Sequence, residues 1–297
     1  MSASSAPRPR QIVAAVIGNA LEWYDFVVYG FLTVIISRLF FPADSEYASL
    51  LLTMATFGVG FFMRPVGGIL IGMYADRKGR KAALQLIIGL MTLSMAMIAL
   101  APPYAAIGVA APILMLTARL LQGFATGGEF ASATSFLVES APAGRKGFYG
   151  SLQMVGQSLA ALGGAVAGAL VTRTLAPEQL DSWGWRLPFL FGLLIGPVGI
   201  WIRRYLDETE EFIQASRTTS SESQGSLLRK SLRSVFVTFG MVVSGTISYY
   251  VVLVYMPTFA RTQLNIPLAD AFVAQVIGLL CLTAVIPVCG WMSDRIG

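Results

Sequence analysis

Apolar stretches of about 20 residues recur along the whole chain, each long enough to cross a bilayer core. Eight can be drawn, at roughly 12–38, 49–73, 82–101, 111–136, 148–172, 186–205, 232–258 and 269–292. In hydrocarbon every backbone N–H and C=O must be satisfied inside the protein, so only helices and closed barrels span. Runs of this length point to helices, and the expected fold class is an all-α polytopic membrane protein. Composition agrees: 12% of the 297 residues are charged, against about a quarter in soluble domains. The mean hydropathy is +0.68. The first stretch is too long, and too interrupted by Glu22 and Asp25, to read as a cleavable signal peptide.

Most connections between these stretches are short. The exception is 206–231, where Asp207, Glu208, Glu210 and Glu211 precede a Ser-rich run from Ser216 to Ser226. That composition cannot build a core and reads as a soluble linker. The chain then divides into an N-terminal bundle of six spans (1–205), a cytoplasmic linker (206–231) and the first two spans of a second bundle (232–297). With the N-terminus in the cytoplasm, 15 Lys and Arg residues fall inside. Four (Arg38, Arg173, Arg186 and Arg261) fall at the outer edge, and Arg64 and Arg119 stay within the membrane. The positive-inside rule therefore sets that orientation in a cytoplasmic (inner) membrane. It also explains the net charge of +5 without a nucleic-acid partner; the bilayer is the partner instead.

The chain repeats itself. Gly72-Met-Tyr-Ala-Asp76-Arg77-Lys78-Gly79-Arg80-Lys81 follows the second span, and Gly290-Trp-Met-Ser-Asp294-Arg295-Ile-Gly297 follows the eighth. The same turn at the same relative place in two halves implies a six-plus-six architecture. The second copy is cut short, so the expectation is a C-terminal bundle truncated to two spans. About four spans of a twelve-span protein would be missing, and the fragment alone should not transport.

Several chemistries are excluded. The chain has no histidine, which removes a Ser-His dyad, a His-ligated metal site and a histidine proton relay together. It has no Gly-x-x-x-x-Gly-Lys-[Ser/Thr] loop for ATP. No enzyme activity, cofactor or metal is expected. Cys281 and Cys289 lie eight residues apart in one span, cannot bridge each other within a helix, and read as packing residues.

Charged residues inside a span are costly, about 2.5–3.5 kcal/mol each on insertion scales, and should face a cavity or a partner. Glu22 and Asp25 on the first span are three residues apart and share a face. Arg119 and Glu129 lie on the antiparallel fourth span at comparable depths. They make either a static ion pair between helices or a proton-coupling cluster. In the second case one carboxylate carries the proton and Arg119 modulates it. Glu22 and Asp25 are equal candidates for the carrier. Arg64, before Pro65 in the second span, either reaches toward the inner interface or joins the cavity. Tyr29, Gln122, Gln157, Tyr249 and Tyr250 are further cavity candidates, with helix packing as the alternative reading for each. Gly72, with Gly68 four residues earlier, forms a small-xxx-small face that permits close helix approach. Asp76 sits where it can cap a neighbouring helix N-terminus or meet an arginine. The plainer reading of 72–81 is a basic turn that only fixes topology.

These motifs resemble the major facilitator superfamily. Its cytoplasmic-loop signature stands at 72–81 and, truncated, at 290–297; Arg119-Leu-Leu-Gln122-Gly123 resembles its fourth-span signature. Finer features resemble the metabolite:proton symporter branch. They include Gly18-Asn-Ala-Leu-Glu22-Trp-Tyr-Asp25, Arg64-Pro65, Gln122 through Glu129, Trp183-Gly-Trp-Arg-x-Pro188 and Asp207-Glu-Thr209. The branch includes citrate–proton symporters, α-ketoglutarate permeases and proline/betaine transporters. The resemblance implies alternating access at a central site, with Gly72, Asp76, Arg77, Gly79, Arg80, Gly290, Asp294 and Arg295 as a cytoplasmic gate. It implies a small-molecule substrate and protons as coupling ion, in a monomer. Tyr255-Met-Pro257-Thr-Phe-Ala-Arg261 and Phe41-Pro42-Ala43-Asp44 are closest to the citrate type. A di- or tricarboxylate is the favoured substrate; a zwitterionic osmolyte is the alternative, and a solute sensor on a carrier fold the third reading.

Overall fold

A computed structural model describes residues 9–78, 80–127, 137–138, 141–193, 196–197 and 232–296, all helix or connection with no strand among them. The helices are α1 (Pro9–Phe31), α2 (Thr33–Phe40), α3 (Glu46–Lys78), α4 (Arg80–Ala99) and α5 (Ala110–Thr126). They continue as α6 (Lys146–Thr174), α7 (Arg186–Leu193), α8 (Leu232–Tyr249), α9 (Met256–Gln263) and α10 (Leu268–Ile296). Three of them, in α3, α6 and α10, are long and apolar enough to cross a membrane, and five do so if each bent pair counts as one span. The fourth and sixth expected spans run into 128–136 and 198–205, which lie outside the described residues, as does the linker 206–231.

Two expected spans are broken rather than straight. The first bends by 63° between α1 and α2. At the bend the Thr33 hydroxyl donates to the Gly30 carbonyl at 2.7 Å, a back-bond that also occurs within unbroken helices, as at Thr53 and Thr172. The seventh bends by 51° between α8 and α9, through a π-helical turn at Tyr250–Val254 just before Pro257. Pro65, by contrast, is carried inside α3 without a break.

The α1–α2 pair forms the centre of the first bundle. Val27, Phe31, Ile35 and Phe40 are fully covered and pack against Met95 of α4, Ala118 of α5, Ala161 of α6 and Phe189 of α7. In a membrane this packing is held by close van der Waals fit and interhelical hydrogen bonds, because lipid is as apolar as the side chains. Small residues provide the fit. On α6, a Cβ at Gly164 would lie 3.2 Å from Phe31, and one at Gly168 2.7 Å from Phe272 of α10. Asn19 of α1 donates to the Gln153 carbonyl at 3.0 Å, and the Tyr24 hydroxyl to the Pro188 carbonyl at 3.0 Å. Cys281 and Cys289 are free and exposed on α10. Neither is buried against the described residues, so the packing role expected of them is not seen there.

Candidate functional site

α3 and α5 cross at glycines, and this places two arginines in the first bundle. A Cβ at Gly60 would lie 3.2 Å from the Arg119 carbonyl, and one at Gly68 3.1 Å from the Gly127 carbonyl; at Gly67 and Gly123 it would overlap the facing backbone. The close approach expected at Gly68 is present. At Gly72 a Cβ would meet nothing within 4 Å among the described residues. Gly123 stands in the fourth-span signature, but none of the glycines that set the contact, Gly60, Gly67, Gly123 and Gly127, is read from sequence as a point of close helix approach, although each lies one turn or two from Arg64 or Arg119.

Arg119 is completely buried. Its guanidinium lies 3.6 Å from the centroid of the Tyr29 ring and 5.4 Å from that of Phe57, and it donates to Gln122 Oε1 at 2.6 Å. Asp25, buried on α1, is near enough to act on its charge. Gly192 of α7 leaves room for that carboxylate: a Cβ there would lie 2.8 Å from Asp25 Oδ1. Arg64 lies 4.5 Å from the Phe61 centroid, 4.8 Å from that of Phe26 and 5.5 Å from that of Trp23. It thus stands inside an aromatic cluster rather than reaching along the inner interface. Tyr250 closes the cluster from the seventh span, 5.2 Å from Phe61 and 5.8 Å from Phe57. Its hydroxyl lies beside the Arg64 guanidinium and interacts with it. Tyr249 packs edge-on to Tyr250 and to Trp23.

Asp25, Tyr29, Arg64, Arg119, Gln122, Tyr249 and Tyr250 therefore meet in one place. Gln157 is buried on α6, between Gly156, which faces Asn19, and Ser158, which bonds Thr283 of α10 at 2.6 Å. The Glu22 side chain and all of Glu129 lie outside the described residues. The ring of Trp23, Phe26, Phe57 and Phe61 was not anticipated. In sequence these residues are indistinguishable from lipid-facing aromatics, and only the positions of the arginines could have marked them.

The polar atoms of this cluster share one property. Arg64 Nε, Arg119 Nε and Nη2, Gln122 Nε2 and the Tyr249 hydroxyl are buried without a hydrogen-bond partner among the described residues, and the Tyr29 and Tyr250 hydroxyls meet only the two guanidinium groups. All of them can donate. Buried donors left unmade cost about 1–3 kcal/mol each, so this group makes a candidate site that acceptors, from a ligand or from residues outside those described, would complete.

A second polar site lies at one end of α10. Asp294 accepts from the backbone N–H of Gly147 at 2.6 Å and of Phe148 at 2.8 Å. These are first-turn donors of α6, whose own N-cap residue, Arg145, makes no side-chain cap. Gly147 and Gly290 make the approach possible: a Cβ on either would lie 2.7 or 2.8 Å from the other's carbonyl oxygen. Arg295 stacks over Trp291 at 4.0 Å, and Arg77 ends α3 exposed. Gly79 and the side chains of Asp76 and Arg80 lie outside the described residues.

Residues 11–233 match the family model described as sugar (and other) transporter. The chain is 40% identical over 286 residues to a citrate–proton symporter of Salmonella typhi, covering 96% of this chain and 66% of that protein. It is 34% identical over 299 residues to a proline/betaine transporter of Salmonella typhimurium (strain LT2), covering 97% and 60%. The chain thus spans about two thirds or less of the length of these relatives. Among solved structures, the partially occluded inward-open conformation of the xylose transporter XylE from E. coli aligns with a TM-score of 0.68 at 19% identity. That alignment covers 91% of this chain and 70% of that one, a likeness of fold.

Proposed function

Because the chain belongs to the sugar (and other) transporter family, within the major facilitator superfamily, we propose that it is the larger part of a proton-coupled symporter for a small di- or tricarboxylate such as citrate. The observation that carries this reading is the donor-rich cluster around Arg64 and Arg119. Carboxylate oxygens are acceptors only, and bind guanidinium groups through short charge-assisted hydrogen bonds. The relatives named for citrate and for proline or betaine leave two substrate classes to separate. Aromatic rings such as Trp23 and Phe26 are the usual receptors for a quaternary ammonium. Here their faces are already covered by guanidinium groups, so a betaine headgroup would have to displace a cation. A carboxylate meets no such competitor.

In this reading Asp25 or Glu22 takes up the coupling proton, with Arg119 as its modulator and Glu129 nearby. A proton on the carboxylate reduces its pull on Arg119 and frees the guanidinium for substrate. The Asp294 cap on α6, with the corresponding 72–81 turn, forms the cytoplasmic gate. It holds strongly only while water is excluded from that end. The excess of Lys and Arg on one side places the N-terminus in the cytoplasm in this reading.

Uptake of labelled citrate and of labelled betaine into proteoliposomes, with and without an inward proton gradient, tests the proposal. Gradient-driven accumulation of citrate is expected. Accumulation of betaine alone would overturn the carboxylate assignment and keep the symport mechanism. No accumulation of either would sink the symporter reading.

A further inference from the structure

The bend in the seventh span has a donor supplied from outside its own helix. In a continuous helix the carbonyl of residue 253 would accept from the N–H of residue 257. That residue is Pro257, which has none. The Leu253 carbonyl instead accepts from Gln275 Nε2 of α10 at 2.6 Å. Gln275 is almost fully covered, at 6% exposure, inside an otherwise apolar stretch of the eighth span. Immediately before Pro257 the chain takes the π turn, with the Tyr255 N–H bonded to the Tyr250 carbonyl five residues back at 2.8 Å. π turns recur at functional sites because the extra residue re-aims the side chains around it. Here the side chains at the start of the turn are Tyr249 and Tyr250, which close the arginine cluster. On its far side Val254 packs where a Cβ of Gly30 would stand, next to the bend of the first span.

We infer that Gln275 is a positioning residue: its amide takes the place of the N–H that Pro257 lacks, and so holds the bend that aims Tyr250, with Tyr249 packed beside it, at Arg64. It rests on the carboxylate reading only in counting the two tyrosines as part of the binding site. A residue that merely satisfied a carbonyl could be replaced by any other donor. A residue that sets the bend could not, and two substitutions separate these cases. Gln275→Leu removes the donor. Adding Pro257→Ala returns a backbone N–H to the Leu253 carbonyl but lets the helix run straight.

The test uses the full-length protein with Cys281→Ser and Cys289→Ser, carrying spin labels at Phe239→Cys and Leu264→Cys. Both positions are exposed, one on each side of the bend. Three quantities are read: thermal unfolding, the label-to-label distance and equilibrium citrate binding. Gln275→Leu should lower the unfolding temperature, broaden the distance distribution and weaken citrate binding about tenfold or more, the scale of a displaced binding group. Gln275→Leu/Pro257→Ala should recover the unfolding temperature, lengthen the distance and leave citrate binding weak. Recovery of citrate binding along with stability would overturn the inference, since the bend would then be dispensable. So would a Gln275→Leu protein with unchanged unfolding and distance, or a double variant that fails to fold. If the parent binds no citrate, it is the carboxylate reading that fails. The distance then decides alone: lengthening in the double variant supports the held bend, and an unchanged distance overturns it.

Discussion

Helix α10 carries an aspartate near each end, and both face α6, yet they make unlike contacts. At one end Asp294 takes two backbone N–H groups at the start of α6, at 2.6 and 2.8 Å. The glycine pair Gly147 and Gly290 brings the backbones together there. At the other end Asp270 meets Arg173 at 3.4 Å, with both side chains more than half exposed. The first contact combines charge-assisted hydrogen bonds with the positive end of a helix. The second is a single pair between long, solvated side chains. Opposite charge is common to both; what differs is whether the partner is fixed in place beforehand. Backbone donors are immobile and lose no freedom when an anion arrives, whereas an arginine must be ordered. The seam is therefore strong at the Asp294 end and weak at the Asp270 end.

The most direct way to break this contrast is Asp294→Ala, which leaves the α6 N-terminus without its acceptor. A loss of about 2–3 kcal/mol is expected, read by thermal unfolding in detergent. A cysteine placed at Ser151, which touches Gly290, should label faster in the same variant. Ser158→Ala sharpens the comparison from the middle of the seam. It removes one neutral hydrogen bond to Thr283 and should cost about 1 kcal/mol without changing labelling at Ser151. Arg173→Ala should have the smallest effect, below about 1 kcal/mol, and that effect should vanish at high salt. Equal losses from Asp294→Ala and Arg173→Ala would show that geometry at the two ends does not matter.

Much of this arrangement is legible in the sequence because membranes leave little choice. Apolar runs separated by charged turns fix the helical fold, and the duplicated Gly-x-x-x-Asp-Arg turn places Asp294 at a helix end before any coordinates exist. Arg119 stands out as a charge inside a span, and burial makes its role specific. Other features are not written locally. The bend in the first span falls at Leu32, in a run that reads as continuous helix. Pro65 and Pro257 look alike on paper, yet α3 carries one through and the seventh span breaks at the other. The difference at Pro257 lies in Gln275, 18 positions further on, and no local pattern connects them. The aromatic ring around Arg64 is likewise a property of three spans at once.

The glycine crossing of α3 and α5 has one more consequence. With backbone against backbone at Gly60, Gly67, Gly123 and Gly127, the two helices have no side-chain cushion between them across which to slide. They behave as a single beam, and the beam carries both Arg64 and Arg119. The spacing of the two guanidinium groups is then a fixed gauge against which the anionic groups of any solute are measured. In the proposed carrier, movement would then fall to the elements that face this beam, among them the seventh span with its tyrosines.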